Sequence, residues 1–311
     1  MGFSDIGCYG SEIPTPGIDR MAACGLRYTQ MYSNAGCCPG RPSLVTGLYP
    51  HQAGVGHMTG NIGIPEYQGY LNENCLTLAE GLKNCGYRTG IVGKWHVGGE
   101  YGHREEAGSI AGQEGYPTPL QRGFDRFYGT LEGAGNYYNP VTLTEDRKWL
   151  SVKPSEDFYY TEKIAEKSCE YIRQFSGGGN PYFLYVAFNA PHWPLHAREK
   201  DIREREGSYL CGWDEVRRQR YRRQVEMGLV RDIWDMSPRD EESPDWDSVE
   251  EKDWEDIKMA VYAAQVMEMD RAVGQIMEAV QDTGEEEDTV FLFLSDNGAC
   301  AEELPPDGWV M

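Results

Sequence analysis

The chain has 311 residues, of which 40% are hydrophobic, and its formal net charge at pH 7 is −21. This length and apolar content are enough for one large domain or two modest ones with a sizeable core. The negative charge argues against nucleic acid and anionic membrane surfaces as partners. An anionic substrate must therefore be drawn in by a local positive site rather than by the overall field.

Apolar runs alternate with helical patterns along the chain, which predicts an α/β fold with a mostly parallel central sheet flanked by helices. The helices are expected, in chain order, at about 16–24, 37–47, 76–85, 160–175 and 255–283. Glycines just after several of these segments indicate where the helices end. Short, β-rich runs without polar alternation predict buried strands at 89–92, 182–189 and 289–294.

A charged stretch at about 197–256 interrupts this alternation. Arginines crowd its first part, and acidic residues dominate positions 240–256. A basic cluster followed by an acidic run favours a solvated, self-neutralising surface over a binding site. We expect this stretch to be an insertion between core strands rather than a domain of its own.

Nine cysteines are scattered through the chain without Cys-x-x-Cys spacing. This pattern indicates neither a disulfide framework nor a zinc knuckle, and the odd number leaves at least one cysteine outside intramolecular pairing. The sequence shows no secretory signal and no apolar window long enough for a transmembrane helix.

The most informative stretch is 37–47, which reads Cys-Cys-Pro-Gly-Arg-Pro-Ser-Leu-Val-Thr-Gly. Cys37 at the start of a helix, with Arg41 one turn later, lies in the positive potential of the helix dipole and the guanidinium. This setting suits a reactive group that must meet an anion. A Cys-Cys dipeptide alone would more often mark a buried or disulfide-bonded pair, but the full Cys-x-Pro-x-Arg pattern favours the reactive interpretation.

Polar side chains follow each of the three predicted strands. Lys94 and His96 follow the first, His192 the second, and Asp296 and Asn297 the third. In open α/β sheets, ligands gather at the carboxyl ends of the strands, so we expect these side chains to meet at one sheet edge. The oxygens of Asp296 and Asn297 suit Ca²⁺ or Mg²⁺ rather than zinc.

The remaining side chains have complementary chemistry. Arg41 and Lys94 can hold a tetrahedral oxyanion and stabilise charge in a transition state. Histidine side chains ordinarily titrate near neutrality, so His96 and His192 are candidates for proton transfer. Taken singly, each residue has a structural interpretation, such as a surface lysine or a hydrogen-bonded core histidine. Their order and their placement at strand ends favour a common site.

Together these patterns resemble the signatures of the type I sulfatases. The resemblance rests on motifs that occur in family order and span nearly the whole chain: Cys-x-Pro-x-Arg at 37–41, Gly-Lys-Trp-His at 93–96, Asn-Ala-Pro-His at 189–192 and Ser-Asp-Asn-Gly at 295–298, with a similar lead-in at 7–29. Gly40 departs from the serine of many members, but the core of the motif is intact. The resemblance implies an alkaline-phosphatase-like sandwich.

In that family the motif cysteine is oxidised to Cα-formylglycine, whose hydrate attacks the sulfate ester. The resemblance therefore implies conversion of Cys37 by a formylglycine-generating enzyme. It also implies Ca²⁺ (or Mg²⁺) bound by Asp296, Asn297 and the converted Cys37.

The resemblance assigns the other roles as well. Lys94 would hold the sulfate oxygens, and Arg41 would steady residue 37 and the charges beside the metal. His192 would help the alcohol depart, and His96 would deprotonate the remaining hydroxyl so that sulfate is expelled. The expected substrate is a sulfated small molecule or glycan, in a secreted or periplasmic location.

Residues 1–311 would form an incomplete sulfatase catalytic domain. The family's Asp-Asp metal ligands would precede Met1, and a smaller C-terminal subdomain would follow Met311. Two alternatives to a sulfuric ester hydrolase stay open. One is a phosphonate or phosphate monoesterase of the same superfamily, and the other is a catalytically silent fragment.

Overall fold

The computed structural model describes residues 1–101, 109–153, 155 and 157–300. Its α-helices are α1 (Pro16–Ala23), α2 (Cys37–Thr46), α3 (Pro50–Ala53), α4 (Leu78–Asn84), α5 (Tyr160–Ser176), α6 (Glu199–Arg205), α7 (Trp213–Glu226) and α8 (Lys252–Asp282). Short 3₁₀ turns lie at Gly7–Tyr9, Pro119–Arg122, Trp246–Ser248 and Glu286–Asp288. All five helices expected from the sequence are confirmed within a few residues.

Five strands form one sheet: β1 (Arg88–Gly93), β2 (Arg126–Thr130), β3 (Leu143–Glu145), β4 (Lys148–Trp149) and β5 (Tyr182–Ala187), in the order β4-β3-β2-β1-β5. β1 pairs in parallel with β2 and β5, whereas β3 and β4 add antiparallel strands at one side. The two-residue connection from β3 to β4 includes Asp146 at φ 52°, a backbone conformation common in tight hairpins. The α/β class is confirmed, and the sheet is mixed.

Two helix ends show how the sequence sets local structure. Thr77 caps α4, because its hydroxyl accepts a hydrogen bond from the Glu80 amide at 3.1 Å while the Glu80 carboxylate accepts one from the Thr77 amide at 2.7 Å. This reciprocal arrangement satisfies two otherwise unpaired donors. α2 ends at Gly47, whose φ of 71° favours glycine and stops the helix.

The core lies on both faces of β1. Ile91, Phe127 and Trp95 are buried in one cluster, and Val92 is buried with Ile164 of α5 in another. The Trp95 ring is 1% exposed and its Nε1 donates to the Pro117 carbonyl oxygen at 2.9 Å, so this tryptophan is a core anchor. The carboxyl end of β1 is therefore held in a rigid, packed environment.

The prediction of a strand at 289–294 is wrong. No strand of the described chain pairs with this segment, and β5 at the nearer sheet edge pairs only with β1. Phe291 packs against the cluster formed by α5 and the end of α8, but Val290 and Leu292 are 83% and 85% exposed. An apolar run becomes a strand only where a neighbour satisfies its backbone donors and acceptors. Among the described residues this segment has no such neighbour.

Contacts divide the chain into two compact units. One comprises Met1–Met31 and Leu195–Gly274, and the other comprises Tyr32–Pro194 and Gln275–Met311. The second unit contains the whole sheet. Within the described residues, no helix has both the length and the apolar character needed to cross a membrane.

The first unit contains the charged stretch at 197–256. Arg220 of α7 forms ion pairs with Asp5 at 2.6 Å and with Glu12 at 2.6 Å, and the Tyr262 hydroxyl donates to Asp5 at 2.6 Å. The arginines therefore are neutralised in part by acidic residues near the start of the chain rather than only by the acidic run that follows them. The expected insertion within a catalytic domain stays a prediction.

Candidate active site

The site begins at the first turn of α2. Cys37 is the first residue of this helix and is half-buried, whereas the next residue, Cys38, is fully buried. The Cys37 sulfur lies 3.5 Å from Nδ1 of His96. The Cys38 sulfur lies 3.5 Å from the same nitrogen and 3.1 Å from Nε2. Of the two thiols, Cys37 is the one that an incoming molecule can reach.

The segment after β1 is held between the ends of its two neighbouring strands. The Lys94 amide donates to the Ala187 carbonyl oxygen of β5 at 2.8 Å, and the His96 amide donates to the Leu131 carbonyl oxygen beyond β2 at 3.0 Å. His96 has a φ of 59°, which is uncommon for a non-glycine residue. Such backbone strain persists only where the surroundings fix it, and it is concentrated at functional sites.

Arg41 connects α2 to the other elements. Its Nη1 donates to the Lys94 carbonyl oxygen at 2.7 Å and to the Tyr185 hydroxyl at 3.5 Å, and its Nη2 is 2.9 Å from an oxygen of Asp296. Gly40 permits this close approach, because a Cβ there would lie 2.7 Å from the Asp296 carbonyl oxygen. Burial opposes the charge on Arg41, but its neighbours Tyr185 and Asp296 raise its pKa. The guanidinium is therefore a fixed positive charge.

The two thiols differ in their acidity. A hydrogen bond from Cys38 is the main influence on Cys37 and lowers its pKa, against the opposing effect of burial. His192, His96 and Lys94 lower the same pKa further. That hydrogen bond, together with burial, raises the pKa of Cys38. Cys37 is thus the more acidic of the two thiols, and Cys38 is the hydrogen-bond donor.

His96 is held as a neutral base. Burial and the nearby charge of Lys94 lower the pKa of His96 to about 4, so its ring is uncharged at neutral pH and can accept a proton. Burial and Arg41 lower the pKa of Lys94 in turn. Gly133 lies directly against the His96 ring, and a Cβ at this position would overlap the ring. The glycine therefore makes room for the imidazole.

His192 lies in the segment that follows β5. Its Nδ1 is 2.7 Å from the Trp193 carbonyl oxygen, and its own carbonyl oxygen accepts a hydrogen bond from the Tyr137 hydroxyl at 2.8 Å. A carbonyl can only accept, so Nδ1 carries the proton there. His192 also acts on the Cys37 thiol and lowers its pKa.

Asp296 and Asn297 offer oxygen donors of the type that Ca²⁺ prefers. Asp296 is half-buried beside Arg41, and the Asn297 side chain donates to the Gly298 carbonyl oxygen at 2.8 Å, which leaves its own amide oxygen to accept or ligate. Ca²⁺ takes about 6–8 oxygens. In the described part of the chain, the one cluster of three or more His, Cys, Asp or Glu ligands does not include Asp296. Asp296 and Asn297 thus offer the type of ligand atom that Ca²⁺ binds, but they supply only some of the oxygens that it needs.

The structure thus brings together six of the seven residues expected at the site: Cys37, Arg41, Lys94, His96, His192 and Asp296. Asn297 follows Asp296 directly, and its hydrogen bonds within the described residues are to Ser295 and Gly298.

Sequence reasoning missed three neighbours of this group: Cys38, Tyr185 and Gly133. Cys38 lies inside the motif at 37–47 and Tyr185 inside the strand predicted at 182–189, so their positions were a usable signal. Nothing in the sequence distinguishes Gly133 from the chain's other glycines.

Comparison with known proteins finds a family that covers nearly the whole chain. The family model described as Sulfatase matches residues 1–308. An arylsulfatase of Klebsiella aerogenes is 34% identical over 313 residues, which cover 96% of this chain and 64% of that protein. N-acetylgalactosamine-6-sulfatase of Homo sapiens is 28% identical, with coverage of 99% and 50%. The chain spans between half and two thirds of the length of these relatives.

Solved structures share the fold. A structure in complex with k-i-k-neocarrahexaose has a TM-score of 0.62 at 23% identity, and the match covers 92% of this chain and 53% of the other. A second, in complex with its substrate D-glucosamine-2-N,6-O-disulfate, has a TM-score of 0.56 at 22% identity, with coverage of 92% and 61%. At these identities the likeness establishes the architecture of the chain.

Proposed function

We propose that this chain, which belongs to the sulfatase family, carries the catalytic centre of a sulfuric ester hydrolase that acts through Cα-formylglycine formed from Cys37. The observation that carries the proposal is the position of Cys37. It is the reachable thiol at the start of α2, and its sulfur lies beside His96, His192 and Lys94. The nucleophile at position 37 is thus close to two imidazoles and to the buried ammonium group of Lys94.

Anion binding is the first requirement of the proposed reaction. The chain as a whole carries a charge of −21, so sulfate must be attracted locally. Lys94 is 2% exposed and Arg41 is 4% exposed, and both lie in a packed site where charge is poorly screened by water. Lys94 would bind sulfate oxygens directly. Arg41, already paired with Asp296, would add positive potential and hold the α2 turn in place.

Bond making and proton transfer follow from the positions of residue 37 and the histidines. The hydrated aldehyde at position 37 would supply the attacking hydroxyl. This hydroxyl would lose its proton to solvent water as its oxygen bonds to sulfur and the bond from sulfur to the alcohol oxygen breaks. In its protonated form, His192 would give a proton to the departing alcohol. His96 would take the proton of the second hydroxyl on residue 37, so that sulfate leaves and the aldehyde returns.

The metal site is proposed at Asp296 and Asn297, together with the oxygen of the converted residue 37. Bound Ca²⁺ (or Mg²⁺) would supply positive charge against the sulfate oxygens. The chain's own contribution is to hold the Asp296 carboxylate against α2 through Arg41, so that this ligand stays at the helix that bears the nucleophile.

The substrate class is proposed from the chemistry of the site together with its relatives. The relatives include an arylsulfatase and an N-acetylgalactosamine-6-sulfatase, and one protein of the same fold is seen with a disulfated glucosamine. We therefore propose an aryl sulfate or a sulfated carbohydrate as substrate. A formylglycine-generating enzyme would be the partner for maturation, and a secreted or periplasmic location would match the family.

One observation favours a second candidate, a catalytically silent chain. Asp296 is engaged by Arg41, and the described residues provide too few oxygen ligands for a full calcium shell. A metal-poor site would bind an anion without efficient turnover, because electrostatic stabilisation is usually the largest catalytic contribution.

The proposal is tested by measuring turnover of a chromogenic aryl sulfate and of the matching aryl phosphate. The protein is produced with a formylglycine-generating enzyme, and Cys37→Ala serves as the inactive control. We expect sulfate to be cleaved faster than phosphate, with no turnover above background in the control. Faster cleavage of phosphate would favour the phosphonate or phosphate monoesterase. Absence of turnover on both substrates, with Cys37 shown to be converted, would favour the silent chain.

A further inference from the structure

The unconverted site contains a second set of potential ligands that the proposed reaction does not use. The sulfurs of Cys37 and Cys38 and a ring nitrogen of His96 all lie within 4.8 Å of one another. Both sulfurs are 3.5 Å from Nδ1 of His96. Cys38 is completely buried and His96 is 6% exposed, so these two donors are built into the core rather than placed on a mobile surface.

This geometry matches a soft metal ion. Zinc binds thiolate at about 2.3 Å and imidazole at about 2.0–2.1 Å, so a tetrahedral site separates sulfur from nitrogen by about 3.5 Å. Both sulfurs have this separation from Nδ1, and the Cys38 sulfur also lies 3.1 Å from Nε2 of the same ring. Thiolate and imidazole select zinc over Ca²⁺ and Mg²⁺, which prefer oxygen ligands. The cluster therefore differs in kind from the oxygen donors of Asp296.

We propose that the chain, while Cys37 is still a thiol, binds one Zn²⁺ through Cys37, Cys38 and His96. Cys37 is half-buried and gives the ion a route into the site, whereas Cys38 fixes the inner side. The site exists only before maturation, because conversion to an aldehyde removes the Cys37 sulfur.

Zinc binding and maturation would then exclude each other. A metal-bound Cys37 sulfur is not available for oxidation, and a converted residue 37 no longer offers a thiolate. The site depends on Cys38, which is buried beside His96 and supplies the second sulfur. It therefore requires the Cys-Cys sequence that this chain has. A chain with a non-ligating residue after the motif cysteine would retain one sulfur and the equivalent of His96, which is a weaker site for a thiophilic metal.

The test uses reduced protein produced without a converting enzyme. Co²⁺ reports thiolate ligation through a charge-transfer band in the near ultraviolet, and Zn²⁺ affinity is measured by competition with a chelating dye. We expect one Zn²⁺ per chain. Cys38→Ser should weaken Zn²⁺ binding by more than the roughly 100-fold that loss of an outer-shell partner can cost. Cys85→Ser, at an exposed cysteine after α4, is the matched control and should bind like the parent.

A second variant covers the case in which Cys38→Ser fails to fold. Cys37→Ser changes the half-buried sulfur and should abolish the charge-transfer band while the near-ultraviolet circular dichroism stays that of the parent. Fully converted protein should lose Zn²⁺ affinity to the same extent. Zinc affinity that is equal in the parent, Cys37→Ser and converted protein would overturn the proposal, since the close contacts would then be only thiol–imidazole hydrogen bonds.

Discussion

Cys37 and Cys38 are adjacent in sequence but differ in exposure and in acidity. Cys37 is half-buried with a lowered pKa, and Cys38 is fully buried with a raised pKa. The spacing to Pro39 and Arg41 also fits only Cys37. Sequence pattern and local environment therefore favour the same residue as the reactive one.

Peptide mass spectrometry after production with a formylglycine-generating enzyme should find the aldehyde at Cys37 and an unmodified thiol at Cys38. Cys38→Ser should still be converted, because the Cys-x-Pro-x-Arg pattern stays intact. Conversion at Cys38, or none at Cys37 under conditions that convert a control sulfatase, would contradict the assignment.

Gly133 is predicted to control the position of His96. In Gly133→Ala the added methyl overlaps the imidazole and displaces it from Cys37, because the backbone around His96 is fixed on both sides. We expect aryl sulfate turnover by the converted protein to fall roughly 100-fold, the range attributed to a positioned general base. Gly135→Ala is the control, since a Cβ there meets nothing within 4 Å. Equal turnover in the two variants would show that the His96 position is not critical.

At the residue scale, the sequence predicts the polar groups but not their neighbours. Lys94 and His96 are recognisable because they follow a short apolar strand. The proximity of Tyr185 to Arg41 depends instead on the parallel register, which places Ile91 opposite Tyr185. Register is a long-range property, so local patterns do not specify it.

The elements that form the site are mostly short and end at identifiable signals. α2 and α4 are followed by glycines at positive φ, namely Gly47 and Gly86, and α4 starts at the Thr77 cap. These local rules explain why the helices were predictable. The strand expected at 289–294 shows the opposite case, because strand formation needs a partner and the apolar pattern of one segment does not reveal whether a partner is present.

The cap of α4 is predicted to stabilise the second unit. In Thr77→Ala the hydroxyl that accepts from Glu80 and donates to the Arg122 carbonyl oxygen is lost. We expect the free energy of unfolding to fall by about 1–2 kcal/mol in chemical denaturation. Thr77→Ser keeps the hydroxyl and should lose much less. If both variants lose the same amount, the effect arises from the missing methyl group and not from the cap.

A buried carboxyl pair in the first unit should make stability depend on pH. Glu268 of α8 and Asp201 of α6 are 4% and 1% exposed, and both lie near Arg271. Burial, with Asp201 beside it, raises the pKa of Glu268 to about 7. Its protonated form is therefore favoured in the folded state, and this stabilisation is present at low pH and is lost as pH rises through about 7.

Glu268→Gln should remove this dependence, because the amide keeps the shape without the charge. At pH 8 we expect the variant to be more stable than the parent by about 1 kcal/mol or more. At pH 5 the difference should shrink. Glu278→Gln, at an exposed position of the same helix, should change neither value. The prediction would be contradicted if, between pH 5 and pH 8, the free energy of unfolding of the parent rose relative to that of Glu268→Gln.

At the scale of the whole molecule, a strongly acidic chain contains a small cationic site. The negative charge keeps nonspecific anions away, while the buried Arg41 and Lys94 provide positive potential where Cys37 lies. The composition predicted that any anion site must be local. The division into two units was not predictable, because residues 1–31 and 195–274 are far apart in sequence and come together only in the fold.

The central claim is that the chain's chemistry depends on an aldehyde at position 37. Preparations with different degrees of conversion, each quantified by peptide mass spectrometry, allow the initial rate of aryl sulfate hydrolysis to be plotted against aldehyde content. The account predicts a straight line through the origin, on which Cys37→Ala lies at zero. A rate that does not change with aldehyde content, or equal hydrolysis by Cys37→Ala, would contradict it.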